Sequence, residues 1–173
     1  MCLDFVNTRL YANRPDRRID RLGNADDVEG WRESGWPLCR GYEARDAAAA
    51  VRLRSAVEGY FRPLARGGPP PPESWAYLAR LYAEAAGGLD GLTPAGVRKD
   101  SSHPSFEAAL LHSAVTLAFT DDVKRLGECE GCGWIFVDRT RNRSKRWCTS
   151  QLCGNRAKAR RHYARVKAAS GSA

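Results

Sequence analysis

Along most of the chain, apolar residues recur at the spacing of an amphipathic helix. Between Glu43 and about Arg66, the run Ala47 to Ala50 is followed by Val51, Leu53, Val57, Tyr60, Phe61 and Leu64. This pattern predicts the longest helix, with Arg45, Arg52, Arg54 and Arg62 largely on its outer, solvated sides. Glu73 to Ala86 resumes the period through Trp75, Leu78, Leu81 and Tyr82 before Gly87-Gly88 stops it. A third helix is predicted after Ser101 or Ser102 as cap and Pro104 in its first turn, with Phe106, Ala109, Leu110, Ala114, Leu117 and Ala118 on its core face. Nearer the N-terminus, Leu3, Phe5, Val6 and Leu10 suit a short helix from Cys2 to about Tyr11, in which Asp4, Asn7 and Thr8 serve local capping and hydrogen bonding. Asn24 caps a further helix with Asp26, Asp27 and Glu29 in its first turn, Val28 and Trp31 packed inward, and Gly35 at its end.

Between these helices the punctuation is clear. Asn13 to Asn24 is a polar, Arg-rich loop; Gly67 to Pro72 is a stiff polyproline-like connector; and Leu89 to Asp100 is irregular, with two short strands. The chain is therefore expected to be mainly α. A helical body over residues 1–122 folds around Trp31, Val57, Phe61, Leu78, Leu81, Leu110 and Leu117. Thr120 to Asp122 start a short helix that carries Val123 and Leu126 straight into a second unit over residues 123–173, with no flexible linker between them.

That second unit has a different character. Cys129 and Cys132 form a C-x2-C pair around Gly131 and Gly133, and Cys148 and Cys153 follow after a gap of fifteen residues. Pair-and-pair spacing of this kind predicts one tetrahedral zinc ion held by four thiolates, closed to water and therefore structural rather than catalytic. Disulfides need an oxidising compartment, for which the chain shows no leader. The wider second pair suits entry into a helix, with Cys148 before it and Cys153 in its first turn. Trp134-Ile135-Phe136-Val137 has strand composition, and a second short strand near Lys145 to Trp147 would close a hairpin over it. A knuckle, a hairpin and a helix make a treble-clef-like unit, with Trp134, Phe136 and Trp147 as the small core around the metal. His103 and His112 read as partly buried helical polar residues, because no second ligand cluster accompanies them.

The run from Cys129 to Lys167, with Cys132-Gly-Trp-Ile-Phe, Asp138, Arg141-Asn142-Arg143, Arg146-Trp147-Cys148 and above all Cys153-Gly154-Asn155-Arg156, resembles the CGNR zinc finger. In that family the finger closes a chain that opens with a motif like Leu3-Asp4-Phe5-Val6-Asn7-Thr8, and both are present. The resemblance implies a bacterial, stress-linked transcription regulator of the ABATE plus CGNR type.

Charge sharpens that expectation. The net charge is +8, yet Asp138 to Lys167 holds eleven Lys or Arg against one acidic residue, so that segment carries +10 and the remainder −2. A basic segment on a slightly acidic body points to a localised polyanion site. The predicted contacts are Arg139, Arg141, Arg143, Lys145 and Arg146 on the hairpin loop, with Lys158, Arg161 and Arg165 on the outer stripe of the last helix, opposite Leu152, Ala159, Tyr163 and Val166. Arg156 and Arg160 flank the apolar face, where they reach phosphate or hold the finger together through carbonyls and Asp138. Asn155 suits adenine by its amide, or caps the helix.

Two function classes follow. One is a DNA-binding regulator in which the finger docks on duplex DNA while the body dimerises or senses a small molecule. The other is a module without enzymatic activity that binds structured RNA or an acidic protein. An enzyme ranks third, because no nucleophile and base pair, phosphate-cradling glycine loop or open metal site is visible. No apolar run approaches the roughly 20 residues needed to span a bilayer, and the protein is expected to be cytoplasmic. Cys2 and Cys39 are expected to be ordinary thiols.

Overall fold

The structure is a computed structural model that describes residues 1–24, 26–27, 30, 47–85, 92–93, 96–97 and 106–170. Helix α1 (Cys2–Val6) leads into strand β1 (Arg9–Leu10), which pairs antiparallel with β2 (Ile19–Asp20). Helix α2 (Ala47–Ala65), helix α3 (Pro72–Glu84), the short pair β3 (Leu92–Thr93) and β4 (Gly96–Val97), and helix α4 (Phe106–Ala118) follow. A 3-10 turn over Asp121–Arg125 then delivers β5 (Leu126–Glu128), which pairs antiparallel with β6 (Ile135–Val137), and the chain closes with α5 (Asn155–Ser170). The fold is mainly helical, as the apolar periodicity predicts.

Helix α2 is the hub, packed against α1, α3, α4 and the β5–β6 pair. Its apolar stripe buries Leu53, Val57 and Phe61 with Phe5, Leu78, Phe106 and Leu110 in one core, and Ile135 of β6 enters the same core. Burying that isoleucine contributes about 1.5–3 kcal/mol and fastens the second unit to the first. The helix ends where Gly67, at φ +80°, takes the left-handed conformation and Gly68 N–H returns to the Pro63 carbonyl at 3.0 Å.

Several expectations change. The first helix stops at Val6 because the chain turns at Asn7 and Thr8 into β1, so Leu10 lies on a strand. Within the predicted Arg-rich loop lie a 3-10 turn at Pro15–Arg17 and strand β2. Arg54 and Arg62 of α2 are buried, not solvated: Arg54 is 0% exposed and donates to Asp20 Oδ1 at 2.6 Å and to Thr8 Oγ1 at 3.0 Å. Arg62 pairs with Glu58 at 2.8 Å and donates to the Gly133 carbonyl at 2.8 Å. Acids set opposite these arginines, Asp20 of β2, Glu58 of α2 itself and Glu128 of β5, hold this face inside. Beside β6, the partner strand is Leu126–Glu128, ahead of the knuckle, and not the predicted Lys145 to Trp147. Two predicted caps differ in outcome: Asn24 accepts from Asp27 N–H at 2.8 Å, as expected, whereas Trp31, Gly35, Cys39, Arg45, Ser101, Ser102, His103 and Pro104 lie outside the described residues. His112 meets the Tyr82 hydroxyl at 3.1 Å.

Candidate metal centre and basic surface

The knuckle is built by the backbone. Cys129 N–H donates to the Trp134 carbonyl and Gly133 N–H returns to the Cys129 carbonyl, both at 2.8 Å, which curls the Cys129 and Cys132 side chains to one side. Gly133 has φ +73°, and a side chain there would also strike Asn13. Downstream, Thr149 Oγ1 accepts from Leu152 N–H at 3.3 Å and caps a wide turn over Ser150–Gly154 that carries Cys153 into α5. Cys148 thus precedes the helical segment and Cys153 lies in its first turn, as the spacing predicts. The cap is Thr149 and not Asn155, which is exposed at the start of α5.

All four sulfurs lie within 4.8 Å of one another, with Cys132 to Cys148 at 3.6 Å and Cys148 to Cys153 at 3.7 Å. Four thiolates about 2.3 Å from a central zinc sit about 3.8 Å apart in a tetrahedron, so the donor set fits one structural zinc ion. Among the described residues no disulfide competes with it. The bare thiols do not ionise evenly. The hydrogen bond from Cys132, with N–H groups of Cys148, Cys132 and Gly131, pulls Cys129 down to about 4 against its burial. Cys132 is raised in turn by that same bond and by burial, while burial and the charge on Cys129 push Cys148 up to about 11. Such a cluster carries one charge easily and resists the next, and a divalent cation removes that resistance. Around the sulfurs pack Phe136, Trp134 and Trp147, the predicted small core, together with Tyr11 from the N-terminal segment.

Tyr11 belongs to a clamp that sequence reasoning missed. The Asn7 side chain accepts from Ile135 N–H at 2.8 Å and donates to the Ile135 carbonyl at 2.9 Å, so one amide completes the free edge of β6. Tyr11 N–H donates to the Cys132 carbonyl at 2.8 Å, and Arg62 holds the Gly133 carbonyl. Local capping is therefore only part of the role of the Leu3 to Thr8 motif. Its Asn7 reaches across the chain, and nothing in a single sequence pairs residue 7 with residue 135.

Comparison with known families matches residues 1–121 to ABATE, described as a putative stress-induced transcription regulator, and residues 125–166 to the CGNR zinc finger. The chain belongs to the ABATE family. No curated protein matches it. Within this ABATE protein, the clamp and Ile135 join the two matched segments through one continuous set of contacts.

The basic residues of this ABATE chain fall into two groups. In the loop after β6, the buried Asp138 carboxylate accepts from Thr140 N–H at 2.8 Å, Thr140 Oγ1 at 2.6 Å and Lys145 N–H at 2.8 Å. These bonds hold it below the usual carboxylate range, with Thr140 the largest cause. Asp138 therefore shapes the loop rather than receiving Arg156 or Arg160. Arg139 pairs with Asp122 at 3.0 Å and Arg146 with Glu130 at 2.6 Å, so both are engaged at the surface, whereas Arg141 and Arg143 project from the loop tip. Lys145 lies over the Phe136 ring.

The second group is on α5. No residue of this helix is buried: Tyr163 and Val166 are 72% and 51% exposed, and Leu152, which lies in the turn before the helix and not on it, is 60% exposed. The expected apolar face exists but joins neither hydrophobic core, and its Ala159 and Tyr163 line an open cleft. Arg156 Nη1 donates to the Tyr11 hydroxyl at 3.3 Å, which fixes the base of the helix to the clamp. Lys158, Arg160, Arg161 and Arg165 are exposed, and the helix contains no acidic residue. Among the described residues, no helix is long and apolar enough to cross a membrane.

Proposed function

We propose that the chain is a zinc-dependent DNA-binding transcription regulator acting in the cytoplasm, in which a treble-clef-like finger presents a basic surface to the phosphate backbone of duplex DNA. The observation that carries this reading is α5, a cationic helix without an acid that stands clear of the core. Folding gives no reason for it, because six cations on sixteen residues repel one another and none is neutralised within the helix. A helix about 10–12 Å across matches the major groove, about 12 Å wide. Lys158, Arg161 and Arg165 would contact phosphates from the helix, with Arg141, Arg143 and Lys145 from the loop, while Arg139 and Arg146 would exchange their carboxylate partners for phosphate. Asn155 and Arg156 are the candidates for base contact.

The zinc is structural in this reading and no catalysis is assigned. The body would carry a dimer contact or a small-molecule effector site. The exposed Leu152, Tyr163 and Val166 favour a second reading, in which the same helix binds structured RNA or an acidic protein. Fluorescence anisotropy with matched duplex DNA and duplex RNA tests the choice. Tighter binding to DNA supports the proposal, with a log-log salt slope of about −5, because only about five or six of these eight cations can touch phosphate at once. Preference for RNA, or no binding to either, contradicts it.

A further inference from the structure

The charge division along the chain assigns the Arg-rich N-terminal loop to the acidic body. In space that loop faces the finger. A cleft of about 630 Å³ opens between Arg17, Ile19 and Tyr11 on one side and Arg156, Arg160 and Tyr163 on the other. A second, of about 250 Å³, lies between Arg14 and the Arg160, Arg161, Arg146 and Trp147 side chains. The two clefts meet at Gly131 and share Arg160, so they run along either side of the first turns of α5. Together they hold six arginines, and the one acid among their lining residues is Glu130, already bound by Arg146 through two hydrogen bonds at 2.6 and 2.7 Å.

Arginines facing one another across a cleft repel, and the one acid that lines these two clefts, Glu130, is already engaged by Arg146 and cannot offset the other five. The backbone nevertheless holds them there. Arg14 N–H donates to the Tyr11 carbonyl at 2.8 Å and Arg17 N–H to the Arg14 carbonyl at 3.0 Å, forming the turn that places both side chains. Tyr11 itself donates its N–H to the Cys132 carbonyl at 2.8 Å, which anchors the loop to the zinc knuckle.

We propose that this loop and α5 form a single composite clamp for duplex DNA, in which Arg14 and Arg17 grip the sugar-phosphate backbones that flank the helix. A helix in the major groove has one phosphate strand on each side. The clefts on either side of α5 offer arginines to both, and the exposed Tyr163 and Ile19 border the wider one, where they meet sugars and base edges. This rests on the finger being a nucleic-acid-binding unit and adds to it that part of the site comes from the far end of the chain.

The test uses the full zinc-loaded chain and a labelled mixed-sequence DNA duplex, with anisotropy titrations over a range of salt concentrations. The Arg14→Ala/Arg17→Ala variant is expected to bind about tenfold more weakly at low salt and to flatten the log-log salt slope by about 2 units. Arg18→Ala/Arg21→Ala removes the same charge from the same loop but lines neither cleft, and is expected to change the slope by less than half as much. Arg14→Lys/Arg17→Lys, which keeps the charge, should recover most of the slope, and matched thermal denaturation shows that each variant is folded. Undiminished binding by Arg14→Ala/Arg17→Ala, while the Lys158, Arg161 and Arg165 triple alanine variant is weakened, overturns the composite clamp and leaves the finger reading standing. Equal losses in both loop double variants also overturn it, because diffuse charge is then sufficient. No duplex binding by the parent chain removes both readings. A loop effect seen only with duplex RNA overturns the assignment to DNA.

Discussion

Helices α2 and α5 both carry arginines at helical spacing, but α2 closes its buried arginines around acids whereas α5 leaves its cations in solvent. Arg54 meets Asp20, and Arg62 meets Glu58 and, at 3.3 Å, Glu128. Those acids come from β2, α2 itself and β5. Around α5 the clefts offer Arg14, Arg17 and Arg146, with Glu130, bound by Arg146, as the one acid among their lining residues. The difference teaches that an arginine's role is decided by what the rest of the fold sets opposite it. In α2 arginine is a fastener inside the structure, and in α5 it is available to a partner outside.

The largest expected effect comes from zinc removal, which should separate the two helices. Structural zinc contributes about 10–16 kcal/mol in small finger peptides, and the apolar core of the finger is thin. Chelation is expected to cost the far-ultraviolet helix signal of α5 while α2 to α4 persist on their own core. Loss of nearly all helix signal would show that α2 depends on the metal as much as α5 does. Metal analysis should find one zinc per chain, and full occupancy in a Cys148→Ser/Cys153→Ser variant would refute the four-thiolate site.

Next in size is Asp20→Asn. It replaces the charged partner of the fully buried Arg54 by a neutral amide and leaves Thr8 Oγ1 as the other acceptor; with Asp20 partly exposed, the expected loss is about 3 kcal/mol, the low end for breaking a buried pair. Chemical denaturation should show that loss, with the salt slope of duplex binding unchanged. A pH titration sharpens the same point. Burial alone would raise the Asp20 carboxyl, but the Arg54 hydrogen bond, the Leu22 N–H and the charges of Arg54 and Arg9 outweigh it, so its pKa lies below the usual carboxylate value. A depressed carboxylate contributes stability above its unfolded pKa and loses it as pH falls through the folded one. Parent stability should thus fall in acid below about pH 4, and the Asp20→Asn variant should lack that component.

A smaller effect is expected for Asn7→Ala. It leaves the N–H and carbonyl of Ile135 without their partner, at about 1–3 kcal/mol. Hydrogen exchange at β6 should quicken while α3 and α4 remain protected. Smallest of all is Arg139→Ala, since its pair with Asp122 is exposed and worth less than about 1 kcal/mol.

Much of this was legible in the sequence for a physical reason. Helical periodicity is local, so α2, α3 and α4 follow from their own residues, and thiol spacing is nearly local, so Cys129, Cys132, Cys148 and Cys153 follow from theirs. Long-range pairing is not local. Sequence alone places Arg54 and Arg62 on a solvated face because Asp20 and Glu128 are remote in sequence, and it does not point to the true partner of β6 because Leu126-Gly127-Glu128 has little strand character of its own. Asn7 and Tyr11 carried no signal of a finger contact, since an amide and a backbone N–H can serve any neighbour. The same blindness hid Arg14 and Arg17, which a division of charge along the chain assigns to the wrong side.

The central claim, that α5 is a polyanion-binding helix and not merely a solvated one, is tested most directly by salt titrations of duplex DNA binding. The parent chain is compared with the Lys158→Ala/Arg161→Ala/Arg165→Ala variant. All three residues are exposed, so stability should stay within about 0.5 kcal/mol of the parent. The parent should show a log-log slope of about −5 and the variant one of about −2, with weaker binding to every sequence tried. Binding that ignores salt, or a variant that matches the parent, would contradict the account.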